Sequence, residues 1–294
     1  MTGFQVAIRS SYRIQLQGAP HMKTPFFSII IPTLNEEKFI GRLLNNLSRQ
    51  TESDFEVLVV DNQSEDKTQS IVQKYAAKLP LKLLVGRERN VSRQRNLGAA
   101  KSRGTYLVFF DADVQIPAQF LKLVHLEIDK YDPSHLTTLT RADTRDFYDE
   151  TITNFTNLGT QLALIIDKPF VPGFNFIIKR KVFSKIGGFR KDVVHGEDFD
   201  LAIRLHEAGF NLMIIKKPRL IYSLRRFREE GRLKVIQKNA TSAIHQLTKG
   251  SITKEIFEYP MGGGWYKKEH ILKKNEKKTI EDYLIQIKHF FLEI

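Results

Sequence analysis

"TYLVFFDADVQIP" spans residues 105–117. Tyr106 to Phe110 form a short apolar run, bounded by polar residues, of strand rather than helix length. The run ends in Asp111-Ala112-Asp113, two carboxylates two residues apart. Like charges that close repel, so solvent, hydrogen bonds or a cation must offset the cost. A solvated turn, a phosphatase nucleophile and a metal site all satisfy that demand, and the surrounding chain has to separate them.

Working outward, three earlier strand–helix units precede this one. "FFSIIIP" (26–32) is a β-branched apolar run stopped by proline, the mark of a buried strand. Asn35 is placed to cap the following helix, which carries Phe39, Leu43, Leu44 and Leu47 on one face. "FEVLVVD" (55–61) reads as a second strand and "LKLLV" (81–85) as a third, with a helix marked by Ile71, Val72 and Tyr75 between them. A helix over 90–104 then leads into "YLVFFD". Strands and helices alternating in units of this length predict parallel βαβ topology. Ligands of such open sheets lie beyond the carboxyl ends of the strands, where Pro32, Thr33, Asp61 and Asp111 all fall.

Bulk properties set limits on function. Residues 1–21 hold no acidic residue and run into Met22; they read as an expression leader outside the fold. The remainder is long enough to bury a large core unaided. With no cysteine there is neither a disulfide framework nor a thiolate zinc site, which fits the cytoplasm. No apolar run approaches the ~18 residues of a membrane span. The net charge of +13 is concentrated late: residues 216–294 hold 18 Lys and Arg against 9 Asp and Glu. That asymmetry points to an anionic surface as partner or to an ordinary solvated face.

The second half predicts helices at "AQFLKLVHLEI" and 146–167, strands at "LTTLTRA" and "GFNFIIKR" (173–180), and a short helix ending at Gly187-Gly188. "EDFDLAIRLHEAGF" (197–210) predicts an amphipathic helix with Leu201, Leu205 and Ala208 inward, followed by a strand at "NLMII". Residues 230–249 predict a helix with Leu233, Ile236, Ala240, Ile244 and Leu247 on one stripe, and 259–270 a hinge. A terminal stripe from Ile280 to Ile294 suits packing on the domain or, with the basic residues before it, contact with a membrane surface.

"IIIPTLNEEKFIG", "VLVVDNQSEDKT", "VSRQRNLGAAKSRGTYLVFFDADV", "GFNFIIKRKVFSKIGGF" and "HGEDFDLAIRLHEAGF" occur in an order that resembles the family 2 glycosyltransferases. The resemblance covers residues 26 to about 215. It implies an α/β GT-A fold, a Rossmann-like and mostly parallel central sheet flanked by helices, here with a basic helical C-terminal extension. It divides the chain into a catalytic domain at 22–220, with nucleotide-binding (22–116) and acceptor (117–220) parts, and an extension at 221–294. By the same resemblance Pro32, Thr33, Asn35 and Glu36 lie around the nucleoside, and Asp61 accepts a hydrogen bond from the base. A carboxylate there suits uracil, although Asp-Asn stands where many relatives have Asp-Asp. Arg95 reaches the nucleotide or braces the site; Arg93 adds charge near the diphosphate or is solvated. Asp111 and Ala112 adjoin the ribose, with Asp111 also a candidate metal contact, and Asp113 binds a divalent cation, Mg²⁺ or Mn²⁺. Asp198 is the implied catalytic base and Glu197 its neighbour near the acceptor. Gly173 and Asn175 are candidates for the sugar pocket, and His195 for an acceptor contact.

Carboxylates at a helix start also complement the helix dipole, so Glu197 and Asp198 have a purely structural reading too. The implied activity is an inverting, metal-dependent transfer of the hexosyltransferase class. A sugar passes from a nucleotide-sugar, UDP-linked, to an acceptor hydroxyl, and a lipid-linked glycan at the cytoplasmic membrane face suits the basic segment 225–294. Three rivals remain open: a nucleotidyltransferase on the same sheet, a haloacid-dehalogenase-type phosphatase using "FFDADV", and a basic nucleic-acid-binding protein. For the last no recognisable module exists, and no nucleic acid is expected.

Overall fold

The computed structural model describes residues 24–165, 167–257 and 262. Seven strands form a mixed, mostly parallel sheet in the order β3-β2-β1-β4-β6-β5-β7, flanked by helices. They are β1 (Phe27–Thr33), β2 (Phe55–Asp61), β3 (Leu81–Val85), β4 (Tyr106–Phe110), β5 (His135–Ala142), β6 (Asn175–Lys179) and β7 (Leu212–Tyr222). The first four are parallel, as their alternation with helices predicts. β6 runs antiparallel to both β4 and β5, and β5 pairs β7 in parallel.

The strand period of two sorts the core onto two faces. Phe27, Ile29 and Ile31 of β1, with Val57, Val59, Val108 and Phe110, meet helices α1 (Ile40–Leu47), α2 (Thr68–Tyr75) and α4 (Phe120–Tyr131). Ile30, Leu58, Val60, Leu107 and Phe109 face α3 (Val91–Lys101), α6 (Arg180–Lys185) and α7 (Glu197–Glu207). Because both faces are covered, β1 and β2 read as unbroken apolar runs rather than alternating ones. α3 lies close against β1: a Cβ on Gly98 would sit 2.5 Å from Ile30 Cγ2. That approach brings Arg95, almost one turn earlier, to the strand ends. Between β1 and β4 the strand order reverses direction, which opens a crevice at their carboxyl ends.

Several expectations need correction. Asn35 does not cap α1, whose N-cap is Phe39; it takes a left-handed backbone (φ 55°) and its Oδ1 accepts the Glu65 N–H instead. Ala208 is exposed and Ala202 takes the inward place beside Leu201 and Leu205. β7 runs to Tyr222, well beyond "NLMII", because its second half pairs with β5 past a register shift between Thr138 and Thr140. The 19-residue helix α5 (Phe147–Ile165) supports that irregularity: Asn157 Oδ1 accepts from the Thr140 N–H and hydroxyl, while its Nδ2 donates to the Thr140 carbonyl.

Two helices follow β7: α8 (Arg225–Glu230), which the sequence pattern did not signal, and α9 (Arg232–Lys249). Arg228 ties α8 to Asp143 and Asp149, both at 2.7 Å, and Arg232 ties α9 to Asp146 and Asp149. The α9 stripe is only partly realised. Val235 and Ser242 are buried, whereas Ile236, Ile244 and Leu247 stay exposed. Among the described residues no helix is long and apolar enough to cross a membrane. The leader at 1–21 and the terminal stripe at 280–294 lie outside the described residues, as does nearly all of the 259–270 hinge.

Candidate active site

A cavity of about 630 Å³ opens at the strand ends, where the switch in strand order predicts it. Pro32, Thr33 and Glu36 line it after β1, Asp111, Ala112 and Asp113 after β4, and Gly173, Glu197 and Asp198 from the acceptor half. Segments more than 160 residues apart in sequence thus meet at one edge. Arg225, Arg226, Asn239 and Gln246 close the cavity from α8 and α9, so the basic extension forms part of its wall.

The two carboxylates of Asp-Ala-Asp each meet an arginine. Arg95 donates through Nη2 to Asp111 Oδ1 at 2.9 Å and through Nη1 to Glu197 Oε1 at 2.6 Å. Its guanidinium is almost fully buried, and its Nε has no hydrogen-bond partner in the structure. The adjacent carboxylates hold the guanidinium firmly protonated against the cost of burial. Gln94 anchors the same turn of α3 by donating to the Thr33 and Val60 carbonyls.

Arg225 mirrors this arrangement from α8. Its Nη1 and Nη2 both donate at 2.9 Å to the two oxygens of Glu36, its Nε lies 2.8 Å from Asp113 Oδ2, and it stacks over Phe39. Burial pushes the Glu36 carboxyl up to about 7 despite this two-pronged contact. The Asp113 carboxyl is also raised, first by burial and further by the charge of Asp111, with Arg225 opposing. Arg225 escaped sequence reasoning, although "LIYSLRRF" carries a signal: two arginines directly beyond the end of a strand.

Asp198 sits at the start of α7. Its Oδ2 accepts the Gly173 N–H at 2.6 Å and its Oδ1 accepts the Phe199 N–H at 2.8 Å. Burial, and then the neighbouring Glu197 charge, push its carboxyl up to about 7, where it can both accept and hold a proton near neutrality. His195 lines the same wall, with its pKa lowered by burial.

Four candidates lie elsewhere than the cavity wall. Asp61 is fully buried and its carboxylate accepts from the Thr33 hydroxyl, the Ser64 N–H and hydroxyl, and Gln69 Nε2. Its neighbour Asn62 lines the cavity instead. Asn35 braces the loop through Ser64 and Glu65. Asn175 is buried between β5 and β6, where its Nδ2 donates to Thr138. The exposed Arg93 pairs with Glu88 at 2.9 Å.

For a metal, Asp111 and Asp113 offer hard oxygen ligands. No group of three or more His, Cys, Asp or Glu close enough to hold an ion exists among the described residues. The pair fits a cation such as Mg²⁺ or Mn²⁺ that draws its other ligands from water and phosphate oxygens. Both carboxylates line the same cavity after β4, and that placement is the observation that favours this fit.

The chain is similar to known proteins in sequence and in fold. The model of glycosyl transferase family 2 matches residues 28–187. TarS of Staphylococcus aureus, a poly(ribitol-phosphate) β-N-acetylglucosaminyltransferase, is 39% identical over 109 residues, covering 36% of this chain but 19% of TarS. The glycosyltransferase AglE of Haloferax volcanii is 31% identical over 204 residues, 64% of each chain. A PGL/p-HBAD biosynthesis glycosyltransferase of Mycobacterium bovis is 31% identical over 205 residues, covering 68% of this chain and 73% of the relative. Among solved structures, S. aureus TarS 1–349 in complex with UDP-GlcNAc is similar at a TM-score of 0.57 and 26% identity, covering 67% of this chain and 58% of that one. The mannosyltransferase PcManGT of Pyrobaculum calidifontis, in complex with GDP-Man and Mn²⁺, shares the fold at a TM-score of 0.56 and 24% identity, covering 68% of this chain and 57% of that one.

Proposed function

Because the chain belongs to glycosyl transferase family 2, we propose that it transfers a sugar from a nucleotide-sugar to an acceptor hydroxyl with inversion. The observation that carries this reading is the placement of Asp198, with a carboxyl pushed up to about 7, in the same cavity as Asp111 and Asp113. The acceptor oxygen attacks the anomeric carbon as the bond from that carbon to the diphosphate oxygen breaks. Asp198 takes the acceptor's proton, and the electron pair leaves with the nucleoside diphosphate. Arg95, pinned by Asp111 and Glu197, ties the ribose-side carboxylate to the start of the helix that carries Asp198.

Asp113, with Asp111, would hold a divalent cation, which when bound would supply positive charge for the departing diphosphate. Pro32, Thr33, Glu36 and Ala112 flank the donor, and Asn62 joins them from the wall. A UDP-sugar is the proposed donor, by analogy with the UDP-GlcNAc held by TarS. Asp61 reads the base in exchange for one of its four present contacts. The acceptor is proposed to be a lipid-linked glycan at the cytoplasmic membrane face, on the strength of the basic segment 216–294. Since Arg225 and Gln246 line the cavity, the catalytic unit is best drawn through α9 rather than ended at 220.

The test is Asp198→Asn. Losing a positioned base should lower kcat by about 10²–10⁴, with UDP affinity by calorimetry nearly unchanged. Equally weakened UDP binding assigns Asp198 a structural role. Release of pyrophosphate instead of a nucleoside diphosphate would establish the rival nucleotidyltransferase.

A further inference from the structure

α5 is amphipathic in the reverse sense. Its inward face carries Asp149, Thr153, Asn157 and Thr160, all buried. Its outward face carries Phe147 (75% exposed), Phe155 (69%), Leu158, Leu162 and Ile165 (77%). At 100° per residue these five, with the exposed Tyr148, fall within one arc of about 100°, a continuous apolar stripe along the helix. The inward polar groups are satisfied: Asn157 holds the β5 irregularity, and Thr153 and Thr160 donate to carbonyls four residues back. The reversal therefore needs its own explanation, because the apolar stripe contributes nothing to the core.

Cations border the stripe. Arg141, Arg145 and Arg219, against the single carboxylate of Glu150, surround a hollow beside the N-terminal half of α5, and Lys168 follows its C-terminal end; all four cations are exposed. Lys216 and Lys217 are exposed on β7, next to β5. α5 itself carries no Lys or Arg, but with these neighbouring cations its apolar stripe combines the two attractions that hold a helix in a bilayer interface, an apolar face for acyl chains and cations for the headgroups.

We propose that the outer face of α5 is a docking surface for an anionic lipid bilayer. The partner is set by charge as well as by apolarity, since exposed arginines favour anionic headgroups over a neutral surface. Docking does not depend on the proposed transfer reaction. It does orient the site, because Thr156, Gly159, Thr160 and Ala163 of the same helix line the active cavity. The cavity edge would then stand at the headgroup level, open to an acceptor carried in the membrane.

The full chain is tested by flotation with vesicles of phosphatidylcholine containing 30% phosphatidylglycerol, against phosphatidylcholine alone. Binding to the anionic vesicles at least ten-fold above neutral ones is expected. Phe155→Ser/Leu158→Ser/Leu162→Ser should reduce it at least ten-fold, with the melting temperature and nucleotide binding unchanged. A second variant reads contact directly: Leu162→Trp in a Trp265→Phe background should blue-shift on adding anionic vesicles and be quenched by brominated lipid. Unchanged flotation of the triple variant, or no binding by the native chain, overturns the proposal. So does a residue-162 tryptophan already blue-shifted without vesicles and unquenched with them; sedimentation then tells whether a second copy or the chain's own C-terminal segment covers α5.

Discussion

The titration of Asp198 gives the sharpest test of the proposed chemistry. Its carboxyl is pushed up to about 7, first by burial and then by Glu197, against the pull of Arg95 and two backbone N–H groups. If Asp198 is the base, kcat/KM should rise with pH to a half-maximum near 7, since only the ionised form accepts a proton. Glu197→Gln removes the neighbouring negative charge and keeps a side-chain oxygen for Arg95 Nη1. Both Arg95 Nη1 and Asp198 Oδ2 lie within about 3 Å of the position a Cβ on Gly173 would take, at 2.9 and 3.1 Å. They are therefore no more than about 6 Å apart, and Glu197 is 2.6 Å from the same nitrogen. A unit charge about 6–8 Å away, at an effective dielectric constant of about 20, changes the cost of ionisation by about 2–3 kcal/mol, or about 1.5–2 pH units. The Glu197→Gln limb should fall to about 5–5.5, which at pH 6 raises the ionised fraction from about a tenth to at least about three quarters. Arg95→Gln has the opposite sign and should move the limb upward. The assay is kcat/KM from pH 5 to 9 with a saturating cation, read by its midpoint and not its height. A Glu197→Gln midpoint still near 7, or both variants moving the same way, refutes the assignment of the base to Asp198.

Other expectations concern the arginines and the frame. Arg225→Gln strips the guanidinium from Asp113 and Glu36; binding of Mn²⁺ alone, followed by electron paramagnetic resonance, should tighten, and an unchanged affinity would mean that Arg225 does not compete for Asp113. Glu36 and Asp198 both have folded-state pKa values raised to about 7, so the folded protein binds more protons than the unfolded chain between about pH 4 and 7. Their stabilising contribution is present at low pH and is lost as pH rises through 7; Glu36→Gln/Asp198→Asn should flatten the melting temperature between pH 5 and 8 relative to the native chain. Gly98→Val forces a side chain into Ile30, with a Cβ already 2.5 Å from its Cγ2, and should cost about 1–3 kcal/mol in urea unfolding. Asn157→Ala leaves the Thr140 N–H and carbonyl without their partner and should cost about 1–3 kcal/mol.

The sheet was legible because both of its faces are buried. "FFSIIIP", "FEVLVVD" and "YLVFFD" are unbroken apolar runs for the same reason that their residues split between two cores. The positions of Asp111 and Asp113 after a strand, and of Glu197 and Asp198 at a helix start, were legible from the ends of those elements, whereas the roles proposed for them came from the family resemblance. What sequence could not give was the long-range pairing: which cation would face which carboxylate. Asp61 shows the cost of that gap. Its place at a strand end is as expected, yet its oxygens are engaged by Thr33, Ser64 and Gln69, partners that no local pattern announces. For α5 the pattern predicted a helix but not which face would turn inward, because the β5 irregularity that claims its polar face is a long-range feature.

Asp-Ala-Asp raised the question of what offsets two carboxylates so close together. In the protein the answer is two arginines, each held from behind by a glutamate: Arg95 by Glu197 and Arg225 by Glu36. Each arginine therefore ties a donor-side carboxylate to another part of the site, Arg95 to the helix that bears Asp198 and Arg225 to the loop after β1. In the proposed reaction a cation taken up by Asp113 would compete with Arg225 for that carboxylate. Arg225 begins α8, and α8 is strapped through Arg228 to Asp143 and Asp149 at the foot of α5. Through Arg225, Arg226, Asn239 and Gln246, helices α8 and α9 of the basic extension thus contribute wall residues to the same cavity as the two carboxylates.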